Sequence, residues 1–227
     1  MLNDLTLIIP AKKEAESLPF VIREIKKVAP NLKIIFIVEK KDLSTINVIR
    51  KFGCKMIFQI IKGYGDALIL GINNVKTKYF CIFNADGSFN PLELKKMMEI
   101  TRSNNLDFIF ASRYEKNCSS DDDTTITKIG NFFFTKLGQL LFKLKITDIL
   151  YTFVMGKTKS AIKLNLKEKD FRFCVELPIK TKLNNMKSLT SKSHERKRYS
   201  GVKKVNAFKD GFLILSYMLK AYVQKIK

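Results

Sequence analysis

Two features of this 227-residue sequence predict an α/β fold with a mostly parallel central sheet flanked by helices. Short β-rich apolar runs alternate with stretches of helical periodicity, and polar loops follow the runs. The runs are apolar at nearly every position, as strands covered on both faces must be.

The first run, residues 5–9, closes at Pro10. Leu18, Val21, Ile22, Ile25 and Val28 then recur at three- and four-residue spacing and mark one apolar face of a helix. A second run, residues 33–38, stops at the charged Glu39-Lys40-Lys41-Asp42, and Ile46, Val48 and Ile49 indicate a helix before Phe52-Gly53. Residues 56–61 read as the third strand, 66–75 as the third helix and 79–83 as the fourth strand. Pro91 suits the opening of a helix that runs through Met98, and residues 108–111 form the fifth strand. In sheets of this kind ligands bind beyond the carboxyl ends of the strands. The loops at 10–14, 39–45, 62–66 and 84–88 are therefore expected on one edge, which is the predicted site.

Beyond residue 114 the character changes to a polar loop (117–125), a Phe-, Leu- and Lys-rich stretch (129–146) and a strongly basic stretch (182–204). No internal repeat or long linker separates the halves.

Forty-two Lys and Arg against 21 Asp and Glu give a formal net charge of +21, so the surface attracts polyanions: nucleic acid, anionic lipid or phosphorylated substrates. No nucleic-acid motif accompanies the charge, and the Phe residues follow buried-strand spacing, so no nucleic-acid partner is expected. Cys54, Cys81, Cys118 and Cys174 are far apart and form no CxxC pair. With His194 as the single histidine, acid-base and metal work falls to carboxylates. The N-terminus lacks the basic flank and apolar core of a signal peptide, and reduced thiols in a cytoplasmic protein are expected. The apolar run 211–223 is interrupted by Lys220 and is shorter than the roughly 20 residues that span a bilayer.

Asn84-Ala85-Asp86-Gly87-Ser88 follows the fourth strand and offers a carboxylate flanked at alternate positions by neutral oxygen donors. Such a set suits a divalent cation that neutralises a departing diphosphate, and read alone it equally suits a turn. Gly63-Tyr64-Gly65 is not a dinucleotide fingerprint, because Leu68 stands at the third glycine position, and no GxxxxGK phosphate loop occurs.

In combination the motifs are more specific. Residues 7–14 (LIIPAKKE), 62–68 (KGYGDAL), 83–91 (FNADGSFNP), 111–114 (ASRY), 146–148 (ITD) and 198–204 (RYSGVKK) follow one another in order. Together they resemble the motifs of family 2 glycosyltransferases with the GT-A fold, most closely the dolichyl-phosphate mannose synthase and polyprenyl-phosphate glycosyltransferase branch, over about residues 5 to 205. The resemblance implies a nucleotide-diphosphate sugar donor. Pro10, Ala11, Glu14, Glu39, Lys62, Gly63, Gly65, Asp66, Asn84 and Ala85 would form its binding site. It further implies Mg2+ or Mn2+ on Asp86 with Asn84 and Ser88, Asp148 beside the reacting sugar, and Arg113, Arg198, Lys203 and Lys204 on phosphate groups of donor or acceptor. Asp86, Asp148 and Arg113 are the expected catalytic residues. On this basis residues 1–205 form the glycosyltransferase domain, with a nucleotide-sugar half (1–115) and an acceptor half (116–205), followed by a basic amphipathic helix (206–227).

Three departures from the family pattern stand out. Asn84 replaces the usual first aspartate of the metal motif, Glu39 stands where an Asp-Asp pair is usual, and Ile149 to Phe153 lacks the small residues common after Asp148. The resemblance implies inversion at the anomeric carbon and a polyprenyl phosphate acceptor, whose phosphate is already ionised. A saccharide or lipid-linked saccharide hydroxyl is the alternative, with Asp148 as base. Over residues 130–146, helical spacing places Phe133, Leu137, Leu140, Leu141 and Leu144 on one stripe, with Lys136, Lys143 and Lys145 nearby. That pattern fits either a helix in an anionic membrane interface or one packed on the sheet. The expected location is peripheral, on the cytoplasmic face of the membrane.

Overall fold

The computed structural model, which describes residues 2–201 and 206–226, opens with β1 (Leu5–Ala11), α1 (Leu18–Val28), β2 (Lys33–Glu39), α2 (Leu43–Lys51), β3 (Lys55–Gln59) and α3 (Tyr64–Asn74). There follow β4 (Tyr79–Ile82), α4 (Glu93–Ser103), β5 (Phe108–Ser112), β6 (Ser119–Ser120) and α5 (Thr125–Phe142). The chain continues through β7 (Val154–Lys157), α6 (Thr158–Lys163), α7 (Phe173–Leu183), β8 (Ser188–Lys192), β9 (His194–Glu195) and α8 (Ala207–Ile226). The first five strands and four helices match the predicted alternation.

Seven strands form one sheet in the order β3-β2-β1-β4-β7-β5-β8. All pairings in it are parallel except those of β7, which runs antiparallel to both β4 and β5. Alternate residues serve opposite faces, as a pleated strand requires. Leu5, Leu7 and Ile9 of β1 join the core under α1, α2 and α4, while Ile8 joins Leu68, Phe80, Phe108 and Phe173 on the other side. The mostly parallel α/β architecture is thus as predicted, and β7 adds the antiparallel strand.

The C-terminal half holds elements that local pattern does not announce. Helix α7 buries Phe173, Cys174, Val175, Glu176, Leu177, Pro178, Ile179 and Thr181, so apolar and polar positions do not segregate to two faces. A helix covered on all sides lacks the 3.6-residue signature. Strand β8 (SLTSK) is a polar edge strand, which is how an open sheet edge is protected.

The helix expected over 130–146 is shifted. A reciprocal capping box at Thr124 and Thr127 starts α5 at Thr125, and Lys143 in the left-handed conformation (φ 55°) ends it at Phe142. Its buried face carries Asn131, Phe134, Thr135, Gly138 and Phe142. Phe133 and Leu140, expected on one apolar stripe, are exposed, and Leu144 is buried beyond the helix end. Helix α8 packs across α5, with Ile214 and Met218 buried in the same core. No helix among the described residues is long and apolar enough to cross a membrane.

Candidate active site

A cavity of about 460 Å³ opens at the carboxyl ends of β1, β2, β3 and β4 and extends to the junction of α5 and α8. Pro10 and Ala11 reach it from the end of β1, Glu14 from the loop that follows, Glu39 from the end of β2, Gly63 from the loop after β3, and Asn84, Ala85 and Asp86 from the loop after β4. Arg113 and Arg198 line its far side. Lys62, Gly65, Asp66, Ser88 and Asp148 do not line the cavity. Lys203 and Lys204 lie outside the described residues.

The loop after β1 is fixed by its neighbours. Lys13 takes a left-handed backbone (φ 55°) and donates its N–H to Asp42 at 2.6 Å, and Glu14 donates its N–H to Thr45 at 3.0 Å. The Glu14 carboxylate is buried and accepts from Ser17 at 2.9 Å. Glu39 is ion-paired with Lys12 at 2.7 Å. Gln59 at the end of β3 donates to the carbonyl of Gly63 (2.7 Å) and to Asp66 (3.1 Å), so Asp66 holds the loop behind the cavity wall. Gly63 and Gly65 admit the backbone of residues 168–170. A Cβ on Gly63 would lie 2.0 Å from the Lys169 carbonyl oxygen, and one on Gly65 would lie 2.2 Å from that of Glu168. The segment they admit brings Phe171 into the cavity wall, where it stacks on Tyr64 at 5.1 Å.

The Asn84 to Ser88 loop is internally braced. Ser88 is buried and donates both its N–H (3.0 Å) and its hydroxyl (2.7 Å) to Asp86 Oδ1. Asn84 donates its amide to Ser88 Oγ at 3.3 Å. Asp86 Oδ2 faces Arg198 Nη1 at 3.8 Å. A strap of residues 194–200 crosses this loop. Arg196 donates its N–H to the Ser88 carbonyl (2.9 Å), and Tyr199 donates its N–H to that of Asp86 (2.7 Å). The Arg196 guanidinium bonds Glu24 and the carbonyls of Gly87 and Phe89, and Tyr199 stacks on Phe20 at 4.8 Å.

Arg113 and Asp148 form a buried bidentate pair, Nε to Oδ2 at 2.8 Å and Nη2 to Oδ1 at 2.9 Å. Nη1 adds Glu195 at 2.9 Å and Asp123 at 3.3 Å. Burial by itself would lower the guanidinium pKa, but the hydrogen bonds and charge of Asp148, with Glu195 and Asp123, outweigh it and raise the pKa well above its ordinary value. Arg113 was expected on phosphate. In this structure its donors are committed to carboxylates, because three acids converge on a largely buried site at the cavity wall.

Asp122, Asp123 and Glu195 are cavity residues that local pattern does not single out. An acidic run beside a serine-rich loop reads as solvated surface, and the arginines that pair with Asp122 and Asp123 lie 76 and 10 residues away. Their presence decides the electrostatics. Among the described residues the cavity is lined by six carboxylates (Glu14, Glu39, Asp86, Asp122, Asp123, Glu195) against Lys12, Arg113 and Arg198. A diphosphate entering so acidic a cavity needs an accompanying cation. The loop fits one: Asp86 keeps one carboxylate oxygen unclaimed by Ser88, and Asn84 adds a neutral oxygen. Ser88, expected as a third ligand, is instead buried behind Asp86 with its hydroxyl committed to that carboxylate and to the Asn84 amide. No cluster of three or more His, Cys, Asp or Glu able to hold a metal occurs among the described residues. Such a cation would therefore take most of its ligands from phosphate and water, the usual habit of Mg2+.

The family model for glycosyl transferase family 2 matches residues 6–164. No curated protein sequence matches the chain. Among solved structures, glucosyl-3-phosphoglycerate synthase from Mycobacterium tuberculosis in complex with Mn2+, UDP and phosphoglyceric acid aligns with a TM-score of 0.76 at 12% identity, over 96% of this chain and 78% of that one. The same enzyme with Mg2+ and UDP aligns with a TM-score of 0.74 at 12% identity, over 96% and 78% of the two chains. At this identity the likeness is one of fold, and the fold is GT-A. With the family model covering residues 6–164, the chain belongs to glycosyl transferase family 2.

Proposed function

We propose that this glycosyltransferase moves a sugar, with inversion, from a nucleotide-diphosphate sugar to the phosphate of a polyprenyl phosphate, as a peripheral protein on the cytoplasmic face of the membrane. The observation that carries the reading is the course of the cavity. It begins at the Asn84 to Asp86 loop and ends at Leu150 and Ile214, beside α5 and α8. The outer faces of those helices expose Ile126, Ile129, Phe132, Leu140, Phe208 and Phe212. A polyprenyl phosphate needs apolar surface of this kind next to a phosphate site, whereas a small polar acceptor does not.

Pro10, Ala11, Glu39 and Gly63 flank the nucleoside in this reading, and Asp86 with Asn84 holds Mg2+ or Mn2+ on the diphosphate. The cation supplies charge neutralisation as the diphosphate departs. An acceptor phosphate oxygen forms the new bond to the anomeric carbon while the bond from that carbon to the diphosphate oxygen breaks on the opposite face. The nucleoside diphosphate leaves, and no proton has to be removed. A hydroxyl acceptor would require a base, yet both oxygens of Asp148 are held by Arg113, and Asp123 and Glu195 are engaged by hydroxyls and by Arg113. This favours the phosphate acceptor. Residues 1–115 then serve the donor and 116–205 the acceptor, with α8 facing the lipid.

The test is transfer of label from a panel of nucleotide-sugars to undecaprenyl or dolichyl phosphate, with Mg2+ or Mn2+, followed by extraction of the lipid. Labelled lipid phosphate is expected from at least one donor, and Asp86→Ala is expected to lose it by two orders of magnitude or more. Transfer to saccharide hydroxyls alone would overturn the acceptor. Undiminished transfer by Asp86→Ala would overturn the metal assignment.

A further inference from the structure

We propose that Arg198 is an internal competitor for the divalent cation at Asp86, which it yields only when a diphosphate arrives together with the cation. The inference rests on the donor reading above and concerns how that site is loaded. Ser88 holds one oxygen of Asp86 with two hydrogen bonds, at 3.0 and 2.7 Å. The other oxygen, the one left for a metal, has the Arg198 guanidinium 3.8 Å away. That guanidinium is anchored on its other edge to Asp122, through Nη2 at 2.7 Å and Nε at 3.2 Å. A positive charge therefore already stands where a cation would approach.

The identity of residue 84 makes this competition effective. An aspartate there would leave the loop with net negative charge even beside Arg198. Asn84 contributes none, so within the loop a lone cation finds a single carboxylate, and the Arg198 guanidinium, which Asp122 holds in place, stands beside it. A nucleoside diphosphate changes the balance in two ways. It brings oxygen ligands for the cation, and it offers the guanidinium a bidentate partner in place of Asp86. The strap backbone is tied to the loop through Arg196 and Tyr199, so the exchange needs only rotation of the long Arg198 side chain. Cation and diphosphate are thereby made to bind as a unit, with reciprocal coupling.

The experiment measures Mn2+ affinity by electron paramagnetic resonance of the free ion, with and without UDP or GDP, for the parent, Arg198→Gln and Arg198→Lys. In the absence of nucleotide, Arg198→Gln is expected to bind Mn2+ about tenfold more tightly or better, because a like charge at contact distance has gone. The enhancement of Mn2+ binding by nucleotide is expected to shrink by at least the same factor. Arg198→Lys retains the charge and is expected to stay within about threefold of the parent, which separates charge from loss of structure. Circular dichroism confirms that each variant is folded. Mn2+ binding by folded Arg198→Gln that is no tighter than the parent's would overturn the proposal. Absence of UDP and GDP binding in all three proteins would instead overturn the donor reading, and the metal-only affinities would still decide the role of Arg198.

Discussion

Arg113 is committed to Asp148, Glu195 and Asp123, so its removal leaves the fully buried Asp148 and two largely buried acids without their cation. Breaking a buried ion pair from one side costs about 3 to 5 kcal/mol. Arg113→Ala is accordingly expected to lose about that much stability in urea unfolding, far more than a surface arginine. A loss under about 1 kcal/mol would mean that the cluster is solvated. The place of Asp86 at the cavity is legible in the sequence because everything that marks it is local: a buried strand, then a short loop of oxygen donors. The setting of Arg113 is not, since its three partners stand 10, 35 and 82 residues away and no local pattern encodes them. The same holds for Asp66, whose place in the ordered motifs is plain while its bond to Gln59 depends on how β3 meets α3.

At the level of elements, the donor edge is built from strand ends joined by well-capped loops. Asp42 is one such joint. It caps α2 by accepting from Thr45 and holds the left-handed Lys13 backbone. Burial raises the Asp42 carboxyl pKa, but hydrogen bonds from Lys13, Thr45 and Ser44 outweigh it, and the net pKa is lowered. A carboxyl with a lowered folded pKa contributes stability that is present above its unfolded value, about 3.9, and is lost as pH falls through the folded value. Melting temperature is expected to fall between about pH 5 and 3, and Asp42→Asn is expected to start lower and fall less steeply over that window. Parallel curves would show that the cap carries no linkage. The α5 helix gives the complementary lesson. Its apolar content was readable, but its ends were set by the Thr124 capping box and the Lys143 left-handed cap, and its inward face by contact with α8. When apolar residues surround much of a helix, periodicity does not choose which of them face inward.

Across the whole molecule, a net charge of +21 coexists with a cavity whose charged lining residues are mainly acidic. The basic charge therefore belongs to the exterior, where it attracts anionic partners, while the interior of the site calls for a cation. Beside the basic exterior, α5 and α8 expose Phe132 (64%) and Phe212 (73%), a standing cost in water that the proposed lipid interface would relieve. Binding to anionic vesicles is expected to weaken with added salt. It is also expected to drop at least tenfold in a Phe132→Ser, Phe212→Ser double variant, since a fully buried Phe is worth about 1.5 to 3 kcal/mol. Cosedimentation measures this, and unchanged binding by the double variant would remove these helices from the interface. From the sequence alone came the α/β alternation, the edge on which loops gather and the ordered motifs of the family, because each is written in neighbours along the chain. The insertion of β7, the inward face of α5, the carboxylates around Arg113 and the contact of Arg198 with Asp86 were decided by tertiary structure. Each depends on distant segments meeting in a low-dielectric interior, where pairing and burial override local preference.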